Sequence, residues 1–355
     1  LTSDLSPSGV FDHPWLGGGF HDAQIAALWS PERQLAQMLA FEAAFSRAMG
    51  RAGLFDADLA AQAADMIPTV TFDMAQLRAG QESDGVVIPA LVRGLKAALG
   101  PAGAAVHKGA TSQDVIDTAM IMSLRDTLVM CRQRLVTLHA SLLELDTRFG
   151  PVALMGRTRM QAATQITVGD RIAPWYMPLT DHIARIDAVM GRVAKIQLGG
   201  ASGDRKALGD KADQIVADMA RALDLDPAPR AWHAMRDGVA EAASVLSLIT
   251  GTLGKMGQDI CLMAQQGIGE ITMSGGGGSS AMPHKQNPVL PELLVTLARF
   301  NAVQLSGMHQ ALIHEQERSG TAWTLEWMCL PGMAQATGRA VTAAQTIAQR
   351  IERIG

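Results

Sequence analysis

Three apolar stripes constrain this chain more than any other feature of its sequence. The first runs Ile121, Leu124, Leu128, Cys131, Leu135, Leu138, Leu142, Leu145. The second runs Ile172, Tyr176, Leu179, Ile183, Ile186, Met190, Val193, and the third Met235, Val239, Ala242, Leu246, Ile249, Leu253, Met256, Ile260, Met263. Steps that alternate between three and four residues keep side chains on one face of an α-helix. A face sustained over more than three turns predicts long helices packed nearly parallel in a bundle. Pro174 and Pro178 are expected to kink the second helix or delay its start, because proline removes a donor and clashes with the preceding turn. Broad apolar faces on long helices are often buried against other subunits, so a closed homo-oligomer is expected.

The remainder of the chain also reads as helical. Hydrophobic residues make up 48% of the 355 positions and aromatics only 4%, a balance that favours helices over sheets. Residues 1–30 read as irregular. Ser30-Pro31-Glu32 is a helix start, a cap followed by proline at the first helical position, and the helix should run to about Gly53. Short helices follow to Leu99, and Gly100-Pro101 marks a boundary. A further helix is expected after Pro288, carrying Leu293, Leu294, Leu297 and Phe300, with Asn287 as its cap and Pro288 in its first turn. A last helix should span Ala334 to Ile354. The expected organisation is an all-α chain with an N-terminal helical domain (1–104), a central long-helix bundle (105–333) and a C-terminal helical region (334–355).

Charge and cysteine usage narrow the function. The formal net charge of −4 leaves no basic excess to hold a nucleic-acid backbone. Cys131, Cys261 and Cys329 are odd in number and far apart, which fits reducing cytoplasm rather than a disulfide framework. No run of about 18 apolar residues predicts a membrane span. The sequence begins at Leu1 and shows no signal-peptide pattern.

Polar segments interrupt the stripes. His107-Lys108-Gly109-Ala110-Thr111-Ser112-Gln113-Asp114 places two hydroxyls, an amide and an imidazole at a helix start. Thr111 or Ser112 can simply cap that helix; the same groups also suit a carboxylate ligand. Gly156-Arg157-Thr158-Arg159-Met160-Gln161 reads either as a solvated turn or as an anion site built on guanidinium forks. Gly275-Gly276-Gly277-Gly278-Ser279-Ser280-Ala281-Met282-Pro283-His284-Lys285-Gln286-Asn287-Pro288 reads as a loose loop or as a mobile arm delivering Ser279 and Lys285 to a helix start. A fourth, weaker candidate is His314-Glu315-Gln316-Glu317-Arg318, followed by Trp323 and Trp327, whose default reading is core. Other chemistries lack support. There is no Cys-x-x-Cys pair, His309 and His314 have the wrong spacing for one helix face, and no phosphate loop or Gly-x-Ser-x-Gly elbow is present.

Gly278-Ser279-Ser280-Ala281-Met282-Pro283-His284-Lys285-Gln286-Asn287-Pro288 resembles the signature of the fumarase/aspartase superfamily, Gly-Ser-Ser-x-Met-Pro-x-Lys-x-Asn-Pro. Thr111–Asp114 and Gly156–Gln161 resemble its two substrate-binding segments, in the expected order. Resemblance therefore covers about residues 20–335. It implies an all-α fold with a missing or truncated C-terminal domain, and a homotetramer whose active sites draw on three subunits. Within the superfamily the segments are most similar to the bacterial 3-carboxy-cis,cis-muconate cycloisomerases, on His107-x-Gly-Ala-Thr-Ser-Gln-Asp-Val-Ile-Asp-Thr (107–118), Gly199–Gly203, Glu317-Arg318, Trp323 and Glu326-Trp327. Many of the superfamily's lyases carry histidine where Arg159 stands, which argues against a fumarate-releasing lyase. An aromatic is the more familiar residue there in the cycloisomerases, so a sulfo-substituted muconate is a possible substrate.

The resemblance implies an isomerisation without metal or cofactor. Ser279 would move the carbon-bound proton, with Lys285 stabilising charge and His107 as a second acid/base or a carboxylate donor. Thr111, Ser112, Arg157, Thr158, Arg159, Gln161, Met282, Asn287 and Arg318 would hold a polycarboxylate. The cationic members of this set suit a trianion that gains further negative charge during reaction. The alternatives are a fumarate-releasing lyase of the adenylosuccinate lyase type and a non-catalytic helical scaffold.

Overall fold

The computed structural model describes residues 9–278, 282 and 285–355. The chain is built from twelve α-helices among these residues. They are α1 (Gly17–Phe20), α2 (Ala23–Leu28), α3 (Pro31–Arg51), α4 (Ala57–Met66), α5 (Met74–Asp84), α6 (Ile88–Leu99), α7 (Ser112–Phe149), α8 (Val168–Val193), α9 (Ala212–Leu223), α10 (Asp237–Met263), α11 (Val289–Gln310) and α12 (Gly320–Arg350). Two small antiparallel pairs accompany them, β1 (Ala153–Thr158) with β2 (Gln161–Thr167) and β3 (Ile271–Met273) with β4 (Ile351–Ile354). No helix among the described residues is long and apolar enough to cross a membrane.

The bundle follows the stripes. All eight residues of the first are buried on α7, from Ile121 to Leu145. Those of the third are buried on α10 from Val239 onward, whereas Met235 lies before that helix and is exposed. Helix α10 packs against α8, α11 and α12, while α7 packs against α8 and α12. Helix α3 starts as its sequence dictates: the Ser30 hydroxyl accepts the Arg33 N–H and Pro31 occupies the first turn. It packs on α4, α7 and α9, so the N-terminal helices rest on the bundle through α3.

Four expectations change. Residues 17–28 form two short helices rather than irregular chain. Helix α8 begins at Val168, ahead of both prolines, because Thr167 and Asp170 form a capping box that fixes the start upstream. Helix α12 is continuous from Gly320 to Arg350, through Pro331, and the last residues form a strand. Ile351 and Ile354 are buried against β3, so β-branched side chains and a free strand edge outweigh continuation of the helix. Finally, Asn287 does not cap α11. Its backbone pairs with Gly277, and Pro288 takes the cap position.

Candidate active site

The predicted site residues fall into two groups at opposite ends of α7. That helix has 38 residues, which at 1.5 Å per residue separates its ends by roughly 57 Å.

At its start, Thr111 is the cap residue and Ser112 the first helical residue. Asp114, fully buried, organises the turn. Its carboxylate accepts the N–H groups of Thr111 at 2.9 Å, Gly199 at 2.8 Å and Gly200 at 2.9 Å, and His233 Nε2 stands 2.7 Å from it. A carboxylate only accepts, so His233 carries its proton on Nε2. Gly200 has φ of +70°, and a Cβ there would come 2.7 Å from the Gly109 carbonyl, so this close approach requires glycine. Arg318, from the loop before α12, donates through Nη1 to the Thr111 hydroxyl at 2.5 Å. His107 Nδ1 lies 2.6 Å from a carboxylate oxygen of Glu42 on α3.

One turn along α7, Asp117 anchors a second buried network. Arg236 donates to it at 2.7 and 3.1 Å and to Glu326 through Nε at 2.8 Å, and Trp323 Nε1 donates to Asp117 at 2.8 Å. Burial works against the Arg236 charge, but the Asp117 and Glu326 carboxylates outweigh it and raise its pKa. Burial likewise pushes Glu326 up, with Arg236 opposing. The network ties α7, the start of α10 and α12 together beneath Thr111. Trp323 is therefore core, as expected, with its N–H satisfied. The ring nitrogens of His314 are buried without a partner among the described residues.

At the far end of α7, the second polar segment is a β-hairpin. Thr158 pairs with Gln161, leaving Arg159 and Met160 as a two-residue loop. Both have positive φ, +50° and +67°, the backbone sign required by a type I′ turn. Arg157 is held by the Glu270 carboxylate, whose other oxygen lies 3.5 Å from Arg171. Arg159 forms no side-chain hydrogen bond or ion pair among the described residues. Glu270 immediately precedes β3, so the hairpin is docked beside the glycine arm.

The base of that arm is pinned. Gly277 and Asn287 exchange backbone hydrogen bonds at 3.1 and 2.9 Å. A Cβ on Gly277 would meet Val289 Cγ2 at 2.5 Å, so this glycine serves close approach as well as freedom. The Lys285 N–H donates to the Met282 carbonyl at 3.0 Å, and both residues are exposed. Ser279, Ser280, Ala281, Pro283 and His284 lie outside the described residues. A cavity of about 650 Å³ at the base of the arm is lined by residues that include Ser274, Gly276, Gln286, Asn287, Arg339 and Arg350.

Within one chain, then, Thr111, Ser112, His107 and Arg318 gather at one end. Arg157, Thr158, Arg159, Gln161, Met282, Lys285 and Asn287 gather at the other. Sequence reasoning missed Glu42, Glu270 and His233. Glu42 carried a signal: it is a charged residue inside the apolar stripe of α3, four positions after Met38 and three before Phe45. Glu270 and His233 sit in irregular chain and carried none.

The sequence matches the lyase family over residues 23–350. It is 36% identical to the 3-carboxy-cis,cis-muconate cycloisomerase of Pseudomonas aeruginosa, over 93% of this chain and 72% of that protein. It is 32% identical to the N-acetyl-S-(2-succino)cysteine lyase of Enterococcus italicus, over 92% of this chain and 72% of that protein. Among solved structures, the 3-carboxy-cis,cis-muconate lactonizing enzyme from Pseudomonas putida superposes with a TM-score of 0.89 at 34% identity, covering 96% of this chain and 77% of that one.

Proposed function

Because this chain belongs to the lyase family of the fumarase/aspartase superfamily, we propose that it is a cycloisomerase converting 3-carboxy-cis,cis-muconate, or a 3-substituted analogue such as 3-sulfomuconate, to its lactone. The observation that carries this reading is the tip of the hairpin. The Thr158–Gln161 register fixes Arg159 there, a cation without a protein partner among the described residues, where many of the superfamily's lyases have an acid/base histidine. Releasing fumarate from an amine or thiol adduct calls for an acid to protonate the leaving group. An intramolecular carboxylate needs none, because it is a stable anion at neutral pH. A cation in place of an imidazole thus suits binding a trianion better than protonating a leaving group.

In the proposed reaction a substrate carboxylate oxygen bonds to an alkene carbon. The alkene electron pair moves toward the adjacent carboxylate as an enolate, and one proton is delivered to carbon. No atom is lost, so the step is an isomerisation. Ser279, assigned by resemblance, delivers the proton, Lys285 steadies the alkoxide left behind, and the serine regains its proton from solvent once the lactone leaves, so that turnover takes up one proton as the trianion becomes a dianion. Closure of the arm on its pinned base excludes water.

The two ends of α7 are too far apart for one chain to complete this site. A homotetramer with sites shared between subunits accounts for the separation. Val129, Val136 and Leu143 support it: they repeat every seven residues along α7 and are 40%, 48% and 39% exposed in the single chain.

The test is turnover of purified protein with 3-carboxymuconate and with 3-sulfomuconate, followed as loss of diene absorbance. Ser279→Ala should lose most turnover and keep substrate binding. Wild-type turnover in that variant removes Ser279 from the mechanism. A second reading, a fumarate-releasing lyase, is favoured by the likeness to the succinocysteine lyase; fumarate released from a succinyl adduct, with both muconates inert, would establish it instead.

A further inference from the structure

Glu42 is fully buried on α3, a helix that also buries Leu39, Phe41 and Phe45. One oxygen meets His107 Nδ1 at 2.6 Å, and the other is buried with no partner among the described residues. Leaving a carboxylate oxygen unsatisfied inside a protein is unfavourable. The partner is strained as well: His107 holds φ of +58°, a conformation uncommon for residues other than glycine. Two unfavourable features converge on one contact between α3 and the turn that leads into α7. Features of this kind persist where the geometry they enforce has a use.

The geometry fixes the imidazole. A carboxylate cannot donate, so Nδ1 carries a proton, and only a ring that takes a second proton on Nε2 can donate from both nitrogens, one to Glu42 and one to another anion. His107 is four residues from Thr111, within about 14 Å even for extended chain, and the Thr111 hydroxyl is bound by Arg318. We propose that Glu42 is a positioning residue: its carboxylate holds the ring of His107 and balances the charge of the doubly protonated imidazole, so that Nε2–H donates to a substrate carboxylate bound at the Thr111–Arg318 end. His107 is then a carboxylate donor rather than the proton carrier at carbon. This rests on the polycarboxylate-binding part of the function proposed above.

The experiment is a double-mutant cycle with Glu42→Leu and His107→Gln in the full chain, read by calorimetric binding of tricarballylate, a saturated tricarboxylate that cannot react. Glu42→Leu should weaken binding about tenfold alone and have no further effect in the His107→Gln background. Glu42→Gln, whose amide oxygen can still accept the Nδ1–H, should bind within about threefold of wild type. Imidazole NMR gives a readout independent of ligand: the His107 Nδ1–H resonance should be present in wild type and lost in Glu42→Leu. Equal weakening by Glu42→Leu in both backgrounds, or an unchanged His107 resonance, overturns the positioning role. Wild-type protein that turns over muconate but does not bind tricarballylate overturns the assigned ligand and leaves the cycloisomerase reading standing. Failure of both binding and turnover overturns the two together.

Discussion

His233 and Asp114, 119 residues apart in sequence, meet at 2.7 Å in near-complete burial. The contact brings the stretch before α10 onto the first turn of α7, beside the Gly199-Gly200 turn that the same carboxylate binds. Among the described residues, the Asp114 carboxylate thereby meets four N–H donors and no acceptor.

Asp114→Asn therefore introduces two donors among four. At least one N–H pair must face another, which should cost about 1–3 kcal/mol and loosen Thr111. Thermal unfolding should show a lowered Tm, and substrate affinity should fall with it. An unchanged Tm would mean that the turn tolerates a donor and that this carboxylate does not organise it.

Arg159 and Arg157 should behave differently although they are two residues apart. Arg159→Ala removes an exposed cation with no partner among the described residues, so Tm should stay within about 1 kcal/mol equivalent of wild type, while KM for a trianion rises about tenfold. Arg157→Ala also leaves the largely buried Glu270 carboxylate with the longer Arg171 contact at 3.5 Å as its remaining ion pair among the described residues, so stability should drop. Comparing the two variants by steady-state kinetics and thermal unfolding checks the division.

Gly277→Ala places a methyl group 2.5 Å from Val289 Cγ2. The contact pries the arm from its base while leaving the bundle untouched. The expected outcome is a loss of kcat of at least about tenfold with less than about 1 kcal/mol of lost stability. Limited proteolysis should cut the variant's arm faster than wild type's.

His182, buried in the bundle, gives a pH dependence unrelated to the site. Arg185 can only donate, and it lies 3.1 Å from Nδ1, so the ring proton is on Nε2, which faces the Thr252 hydroxyl at 2.8 Å. Burial, then the Arg185 charge, lowers the pKa from 6.5 to about 4. The unfolded chain thus takes up a proton in a range where the folded one does not. This contribution to stability is full above about pH 6.5, falls as pH drops toward 4, and levels off below that. Its size is on the order of 2 kcal/mol after allowance for partial hydration. Denaturant midpoints for His182→Gln should fall less between pH 7 and pH 4.5 than those of wild type; equal slopes would refute the assignment.

Much of the fold was legible because helical periodicity is local. Leu124 and Leu128 announce a buried face whatever surrounds them, and Ser30-Pro31 announces a start. Family membership was legible in Gly278–Pro288 for a related reason, since a motif is a short run of residues. The misread places were those where a distant strand or turn competes with local preference. Ile351–Ile354 leaves the helix for an edge that Ile271–Met273 supplies, and Asn287 pairs with Gly277 instead of capping α11.

The sequence alone determined the long helices, the family and the residue types available for binding an anion. Only the tertiary structure decided which of those residues are free and which meet. It commits Arg157 to Glu270, leaves Arg159 without a partner among the described residues, joins Arg318 to Thr111 across 207 residues, and sets a buried Glu42 behind His107. The physical reason is that periodicity depends on neighbours a few positions away. Charge pairing and close approach depend instead on where the turns return the chain, and no local pattern encodes that. The glycine arm shows both: its signature is readable at a glance, yet the close packing of Gly277 on Val289 exists only in the folded molecule.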